Sequence, residues 1–189
     1  VLKIFRDLQS YSNFVKKTVT NITVCAAVAG SDISQGQEVG LEMKDGLLFA
    51  TDAMGSETKR TAVSDARKGE DVGISNIEGI VPLEIGGVTI LKVPGIQRGG
   101  SGSVAPTRLK KEISRGKLIG AIGIEALVAL KRIGVAPHYS YGVKEVVVEA
   151  AYSGLTSLVV CVDDEISGLL QRLEEEHLNY RLLDLAKVE

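Results

Sequence analysis

The sequence predicts an α/β protein: a β-rich N-terminal segment followed by a doubly wound parallel sheet of about four strands with flanking helices. Three observations lead to this class. Apolar runs alternate with helical patterns from Val88 onward, glycine punctuates the first half without a long helix, and aromatic residues make up only 4% of the 189 residues. Alternating strands and helices imply right-handed crossovers between parallel strands, and a core of aliphatic residues suits layered packing.

The chain is expected to begin with an amphipathic connector helix over residues 1–17. Apolar residues recur there at helical spacing: Val1, Ile4, Phe5, Leu8, Tyr11 and Val15. Such a helix either covers its own domain or pairs with its own copy in a dimer. The pattern starts at a Val without a capping residue, so we expect the chain to be a fragment of a longer protein.

Residues 18–86 are predicted to form a β-rich subdomain. Strand patterns occur at 22–29, 38–43, 47–50, 71–74 and 79–83. Asp45-Gly46 lies between two of them and predicts a hairpin, because both residue types tolerate the positive φ of a tight turn. The stretch RTAVSDARK at 60–68, followed by a glycine, predicts a short helix.

Residues 87–189 are predicted to form a Rossmann-like subdomain. Strands are expected at 88–93, 118–122, 157–162 and 180–185, with helices at 107–115, 124–133, 142–153 and 165–177. The near-continuous apolar run at 157–162 is typical of a central parallel strand. The more alternating pattern at 180–185 suits an edge strand.

A glycine-rich loop, GIQRGGSGS at 95–103, follows the first of these strands and precedes a helix. A strand, such a loop and a helix form the usual frame of a ligand site at the carboxyl edge of a parallel sheet. The loops that open at Gly123 and at Asp163 are expected at the same edge. The candidate ligand-binding residues are Gln97, Arg98, Gly99, Gly100, Ser101, Ser103, Gly123, Glu125, Asp163 and Asp164.

We expect Arg98 to be the main charged contact, with the amides of Gly99 and Gly100 turned toward a phosphate or carboxylate. Glu125 would repel a bare anion, so an amino or hydroxy acid fits better than a phosphate. The loop has neither the dinucleotide nor the P-loop spacing, and a mobile surface loop is an equally open interpretation. Asp163 or Asp164 could bind an amine or ribose, but capping of the next helix is the favoured interpretation.

Few residues are available for metal binding or nucleophilic catalysis. Cys25 and Cys161 lie in apolar runs without a CxxC pair, and the chain has 2 His. We therefore assign no catalytic residue, metal or cofactor, and expect a reduced, cytoplasmic setting. The loop HYSYG at 138–142 either forms the wall of a ligand site or is anchored through its hydroxyls, and we favour anchoring.

A net charge of −2 argues against an extended nucleic-acid surface within this chain, and no apolar span suits a membrane. Several stretches carry a resemblance to a known group: SDISQGQEVGLEMKDGLLFA, DARKGEDVG, VTILKVPGIQRGGSGS, IGAIGIEALVALKRIGV and LVVCVDDE. In their order they resemble the region that follows the winged helix in a poorly characterised family of archaeal transcriptional regulators.

The resemblance implies that a winged helix-turn-helix domain precedes residue 1, and that residues 18–189 sense a ligand or build the dimer. We therefore expect the effector-binding region of a regulator. It would bind a small anionic effector, form a homodimer and reach DNA only through a domain absent from this chain. The alternatives are an α/β enzyme that transforms a small molecule and a purely structural dimerisation module.

Overall fold

The computed structural model describes residues 24–52, 60–77, 83–113 and 118–186. The chain divides into two compact units, Val1–Pro82 and Leu83–Glu189. The predicted connector helix at 1–17 lies outside the described residues, as does most of the predicted strand at 79–83.

The first unit contains five short strands. They are β1 (Cys25–Ala29), β2 (Val39–Lys44), β3 (Leu47–Asp52), β4 (Thr61–Ala62) and β5 (Asp71–Ser75). The hairpin of β2 and β3 is confirmed, and both turn residues have positive φ, 49° at Asp45 and 79° at Gly46. β1 pairs parallel with β3 and antiparallel with β5.

The five strands close into a ring. Their order is β2-β3-β1-β5-β4, and the two outer strands also meet, since the amide of Val39 donates to Arg60 O and that of Ala62 to Gln37 O, both at 2.9 Å. The predicted short helix at 60–68 is therefore wrong. Thr61–Ala62 form β4, and Ala66 pairs with Ile33, so that partners far along the chain outweigh a weak local helical preference.

An internal repeat underlies this unit, and the sequence reading missed it. SDISQGQEV at 31–39 matches SDARKGEDV at 64–72. Asp32 Oδ1 accepts the amide of Lys68 at 2.9 Å, and in the equivalent bond Asp65 Oδ1 accepts the amide of Gln35 at 2.7 Å. The two copies are thus related by a pseudo-two-fold arrangement of the same turn.

The second unit alternates strands and helices as predicted. Its elements are β6 (Val88–Val93), α1 (Pro106–Ile113), β7 (Leu118–Ile122), α2 (Ile124–Arg132), α3 (Val143–Tyr152), β8 (Ser157–Val162), α4 (Asp163–Glu175) and β9 (Tyr180–Asp184). The strands form one parallel sheet in the order β7-β8-β6-β9. The prediction of a four-stranded parallel sheet is confirmed, with β8 buried along its whole length and β9 at an edge.

Helices cover both faces of this sheet. Leu109 of α1 and Leu130 of α2 share one apolar core with Leu91, whereas Val147 of α3 and Leu169 of α4 share the other core with Ile90 and Val159. The connection from β6 to β7 crosses over β8, and the connection from β8 to β9 crosses over β6. Because α1 and α4 pack on opposite faces, the connections leave the adjacent carboxyl ends of β6 and β8 toward opposite faces of the sheet, and open α/β sheets bind ligands at such a point.

Candidate functional site

The glycine-rich loop folds into two 3₁₀ turns, Ile96–Arg98 and Gly100–Ser103. Gly99 joins them with a φ of 89°, and a Cβ there would lie 2.1 Å from Ser103 Oγ. Glycine is favoured at this position, because the positive φ would strain any other residue and a Cβ would displace the Ser103 hydroxyl. The Ser103 hydroxyl donates to Arg98 O at 3.2 Å and closes the turn.

Two carboxylates anchor the start of the loop. Asp163, the first residue of α4, accepts the amide of Gly95 at 3.0 Å, and Glu125, in the first turn of α2, accepts the amide of Ile96 at 3.0 Å. The structure thus brings together the three loops that the sequence placed at one edge. The interpretation of a mobile surface loop loses support, because the loop is tied to two helices.

Arg98 is paired within the protein. Its Nε donates to Asp163 Oδ2 at 2.9 Å, and its Nη2 lies 3.4 Å from Asp164 Oδ1, although the arginine side chain is 60% exposed. Burial raises the pKa of Asp163, but the hydrogen bond and charge of Arg98 and the amide of Gly95 lower it more, so that the pKa lies below its usual value. An effector anion would have to share Arg98 with these carboxylates.

The expected helix cap is wrong. Val162, whose side chain has no hydrogen-bonding group, occupies the cap position of α4, and the carboxylate of Asp163, the next residue, binds the glycine-rich loop. The acidic first turn still suits the positive end of the helix dipole.

The loop amides expected to face an anion are turned inward. Gly99 donates to Ile96 O at 3.1 Å and Gly100 to Gly95 O at 3.0 Å. The Ser101 carbonyl accepts a hydrogen bond from the Arg132 guanidinium, which ties the loop to α2 as well. Gln97 is exposed. Ligand contact by these residues remains a prediction.

A cleft of about 650 Å³ opens beside the loop, over the carboxyl ends of β6 and β9. It is lined by Lys92, Pro94, Arg98, Gly102, Ser103, Asp163, Asp184 and Ala186. Three of the predicted site residues, Arg98, Ser103 and Asp163, take part. Gly123 instead lines a second cavity of about 360 Å³ at the end of β7, near the first turn of α3.

Lys92 and Asp184 are the charged cleft residues that sequence reasoning missed. They face each other in register on β6 and β9 and form an ion pair. Burial raises the pKa of Asp184, but Lys92 and the amide of Ala186 lower it more, so that the pKa lies below its usual value. Two signals in the sequence point to these residues. A lysine stands near the end of an apolar strand, and ligands bind at the carboxyl ends of parallel strands, which include β9.

The HYSYG loop is held by its backbone and its histidine. His138 Nδ1 accepts the amide of Ile119 at 3.0 Å, and Tyr139 O accepts the amide of Ala121 at 2.9 Å. The expected anchoring through hydroxyls is wrong, since within the described part of the chain neither tyrosine hydroxyl of this loop has a hydrogen bond, and Tyr141 is 91% exposed.

The thiols offer no activated nucleophile. Cys161 is fully buried between α4 and the sheet, and burial together with the nearby Glu165 raises its pKa to about 12. Cys25 is half-buried, and burial raises its pKa as well. Among residues 24–52, 60–77, 83–113 and 118–186, no group of three or more His, Cys, Asp or Glu is placed to bind a metal. In the same ranges, every helix is too short or too polar to cross a bilayer.

Comparisons with known proteins give a family but no activity. A family model described as a domain of unknown function, DUF7839, matches residues 82–182. The uncharacterized protein MJ0558 of Methanocaldococcus jannaschii is 29% identical over 163 residues, which are 85% of this chain and 62% of that protein. The chain therefore spans less than two thirds of this relative's length. No solved structure matches the chain.

Proposed function

We propose that this chain, which belongs to the DUF7839 family, is the effector-binding region of a transcriptional regulator. The effector is a small molecule with an anionic group, bound without chemical change at the carboxyl edge of the parallel sheet. One observation carries the proposal: at the adjacent carboxyl ends of β6 and β8, a glycine-rich loop is fixed by Asp163 and Glu125 beside an open cleft of about 650 Å³. Pockets of this size at this position are usual small-molecule sites.

The absence of an activated group favours binding over catalysis. In the part of the chain that the structure describes, the cleft contains no histidine or cysteine, and its one hydroxyl, on Ser103, donates to a backbone carbonyl. A serine nucleophile is usually activated by an adjacent base. The alternative function, an α/β enzyme acting on a small molecule, has no such serine–base pair among the described residues of the cleft.

DNA contact, the dimer and the cytoplasmic location belong to the same proposal. DNA is bound through a winged helix domain of the parent protein outside this chain, and the M. jannaschii relative has 38% of its length (100 − 62) beyond the matched part. A two-fold homodimer would match two half-sites on DNA. The outward face of α2, with Ile124, Leu127 and Val128 exposed, is available for the contact with a second copy.

A thermal-shift screen of the full chain against phosphorylated metabolites, nucleotides and amino acids tests the proposal. A ligand at 100 times its Kd stabilises the folded state by about 2.7 kcal/mol, which raises Tm by several degrees. We expect at least one stabilising anionic compound that mass spectrometry recovers unchanged. Stabilisation by no compound would support a structural module instead, and conversion of a hit would support an enzyme.

Arg98→Ala is the first variant to titrate with any hit. Charge-assisted hydrogen bonds contribute roughly 1.5–3 kcal/mol, so loss of the guanidinium should lower the affinity for the hit compound about tenfold or more. Arg181→Ala is the matched control: Arg181 is similarly exposed and pairs with Glu112, and it lies outside the cleft lining. Equal affinities for Arg98→Ala and wild type would remove Arg98 from the site.

A further inference from the structure

The charges that line the cleft balance. Lys92 and Arg98 are positive, Asp163 and Asp184 are negative, and each cation is paired with one carboxylate of the lining: Lys92 with Asp184 and Arg98 with Asp163. Both carboxylates are ionised at neutral pH because their partners hold each pKa below its usual value. The formal charge of the lining is therefore zero.

This balance discriminates between classes of ligand. A bare anion would approach two carboxylates of the lining, with Asp164 close behind Arg98 at 3.4 Å. A bare cation would approach Lys92 and Arg98. An apolar ligand would remove water from four charged groups without offering them a hydrogen bond or an opposite charge, which costs free energy.

A ligand that carries both charges meets no such penalty. Its carboxylate can contact Lys92 and Arg98 while its ammonium contacts Asp163 and Asp184, so every charged group keeps an opposite partner. The Lys92–Asp184 pair can exchange partners in this way because both side chains are partly exposed, at 34% and 50%. Asp163 is only 14% exposed and keeps its bonds to Gly95 and Arg98 where it lines the cleft, whereas the Arg98 side chain is 60% exposed. Pro94 and Ala186 add an apolar wall for a ligand side chain.

We propose that the cleft binds a zwitterionic ligand of the α-amino acid class, with Lys92 and Arg98 on the carboxylate and Asp163 and Asp184 on the ammonium. The proposal rests on the proposed function and names the chemical class of its effector. It also extends the site from the glycine-rich loop onto β9, whose Asp184 the sequence reading did not consider.

The experiment uses matched probes on the full chain. Each proteinogenic L-α-amino acid is tested by thermal shift beside its N-acetyl derivative, which lacks the ammonium, and its amide, which lacks the carboxylate. We expect at least one amino acid to raise Tm, and both of its derivatives to bind about tenfold or more weakly, because each has lost one pair of charged contacts.

Variants that each remove one charged group then test whether the amino acid binds in this cleft. Asp184→Asn should weaken the amino acid about tenfold but leave its N-acetyl derivative unaffected, whereas Lys92→Met should weaken both. Glu112→Gln and Arg181→Met are the controls, since this pair also joins β9 to a neighbouring element but does not line the cleft. The Tm of each unliganded variant verifies folding.

The outcomes separate the two proposals. If an anionic compound binds and no amino acid does, or if the N-acetyl derivative binds as tightly as its parent, the zwitterion proposal is overturned and the proposed function stands. An amino acid hit that is indifferent to Asp184→Asn and Lys92→Met overturns the placement in this cleft. Stabilisation by no compound of any class overturns the proposed function, and the zwitterion proposal with it.

Discussion

Asp163 is the residue on which the local geometry of the site depends. One of its oxygens accepts the amide of Gly95 and the other accepts the Arg98 guanidinium, while its side chain is only 14% exposed. A buried carboxylate is costly unless its lone pairs are satisfied. Asp163 therefore fixes the loop and at the same time compensates the charge of Arg98.

Asp163→Asn should lower the free energy of unfolding by about 1–3 kcal/mol at pH 7, since it removes the charge that two donors share. The folded pKa of Asp163 lies below its unfolded value of about 3.9, so the contribution is fully present above that value and is lost as pH falls through the folded pKa. The difference in the free energy of unfolding between wild type and Asp163→Asn should accordingly shrink below about pH 4.

Urea unfolding between pH 7 and pH 3 measures this difference. Asp164→Asn is the control, because the Asp164 side chain is 80% exposed and such surface substitutions typically change stability by less than about 0.5 kcal/mol. A constant difference between wild type and Asp163→Asn across this pH range would contradict the assignment.

At the scale of elements, the junction of β7 and α2 requires a glycine. Gly123 has φ 93° and ψ 155°, a conformation open to little but glycine, and a Cβ there would lie 2.6 Å from Val162 Cγ1 of β8. The absence of a side chain thus lets α2 start directly at the sheet edge and places Glu125 under the glycine-rich loop.

Gly123→Ala should destabilise the protein by about 1–3 kcal/mol, from backbone strain and from the collision with Val162. Gly134→Ala is the comparison, because Gly134 also has positive φ, 75°, but has open space around its Cβ position. We expect the larger loss for Gly123→Ala in urea unfolding, since its conformation and its contact with Val162 both act against a side chain. Equal losses would contradict this requirement.

The outward face of α2 is the surface that we propose for a homodimer. Ile124, Leu127 and Val128 are 76%, 37% and 40% exposed, and Lys131 continues the same face. In an antiparallel two-fold pairing, the apolar side chains of this face in one copy would cover those of the other, and the two helix dipoles would run in opposite directions.

Ile124→Glu should shift the chain from dimer to monomer in sedimentation at micromolar concentration, because it places a carboxylate in the apolar contact. Leu182→Glu, at a 42% exposed position on β9, should leave the dimer intact. A monomeric wild type, or a dimer that persists in Ile124→Glu, would exclude this face.

At the scale of the molecule, the two units follow different plans. The second builds one sheet by alternating strands and helices, whereas the first repeats one turn motif and interleaves the copies. In each copy an aspartate carboxylate accepts an amide of the other copy. The contributions of the two aspartates to stability should therefore be equivalent.

Asp32→Ala and Asp65→Ala should each lower the free energy of unfolding by about 1 kcal/mol, the usual value for such a hydrogen bond, and by similar amounts. Denaturant unfolding followed by circular dichroism measures both. The control is Asp71→Ala, an acidic residue of the same unit that is also exposed. A large loss for only one of the two aspartates would contradict the pseudo-symmetry.

The sequence by itself determined the elements whose cause is local. The Asp45-Gly46 hairpin follows from residues that tolerate positive φ, and the place of β8 at the centre of a parallel sheet follows from an uninterrupted apolar run. The carboxyl-edge rule likewise predicted that three loops would meet, because parallel strands present their ends at one side.

Only the tertiary structure decided which charged groups pair with each other and which line the cleft. Arg98 and Asp163 lie 65 positions apart, and Lys92 meets Asp184 only because β9 returns beside β6. The pairing of residues 60–68 with strands far along the chain likewise replaced a predicted helix. Sheet order and backbone pairing bring such residues together, and no preference within a few residues of the chain carries that information.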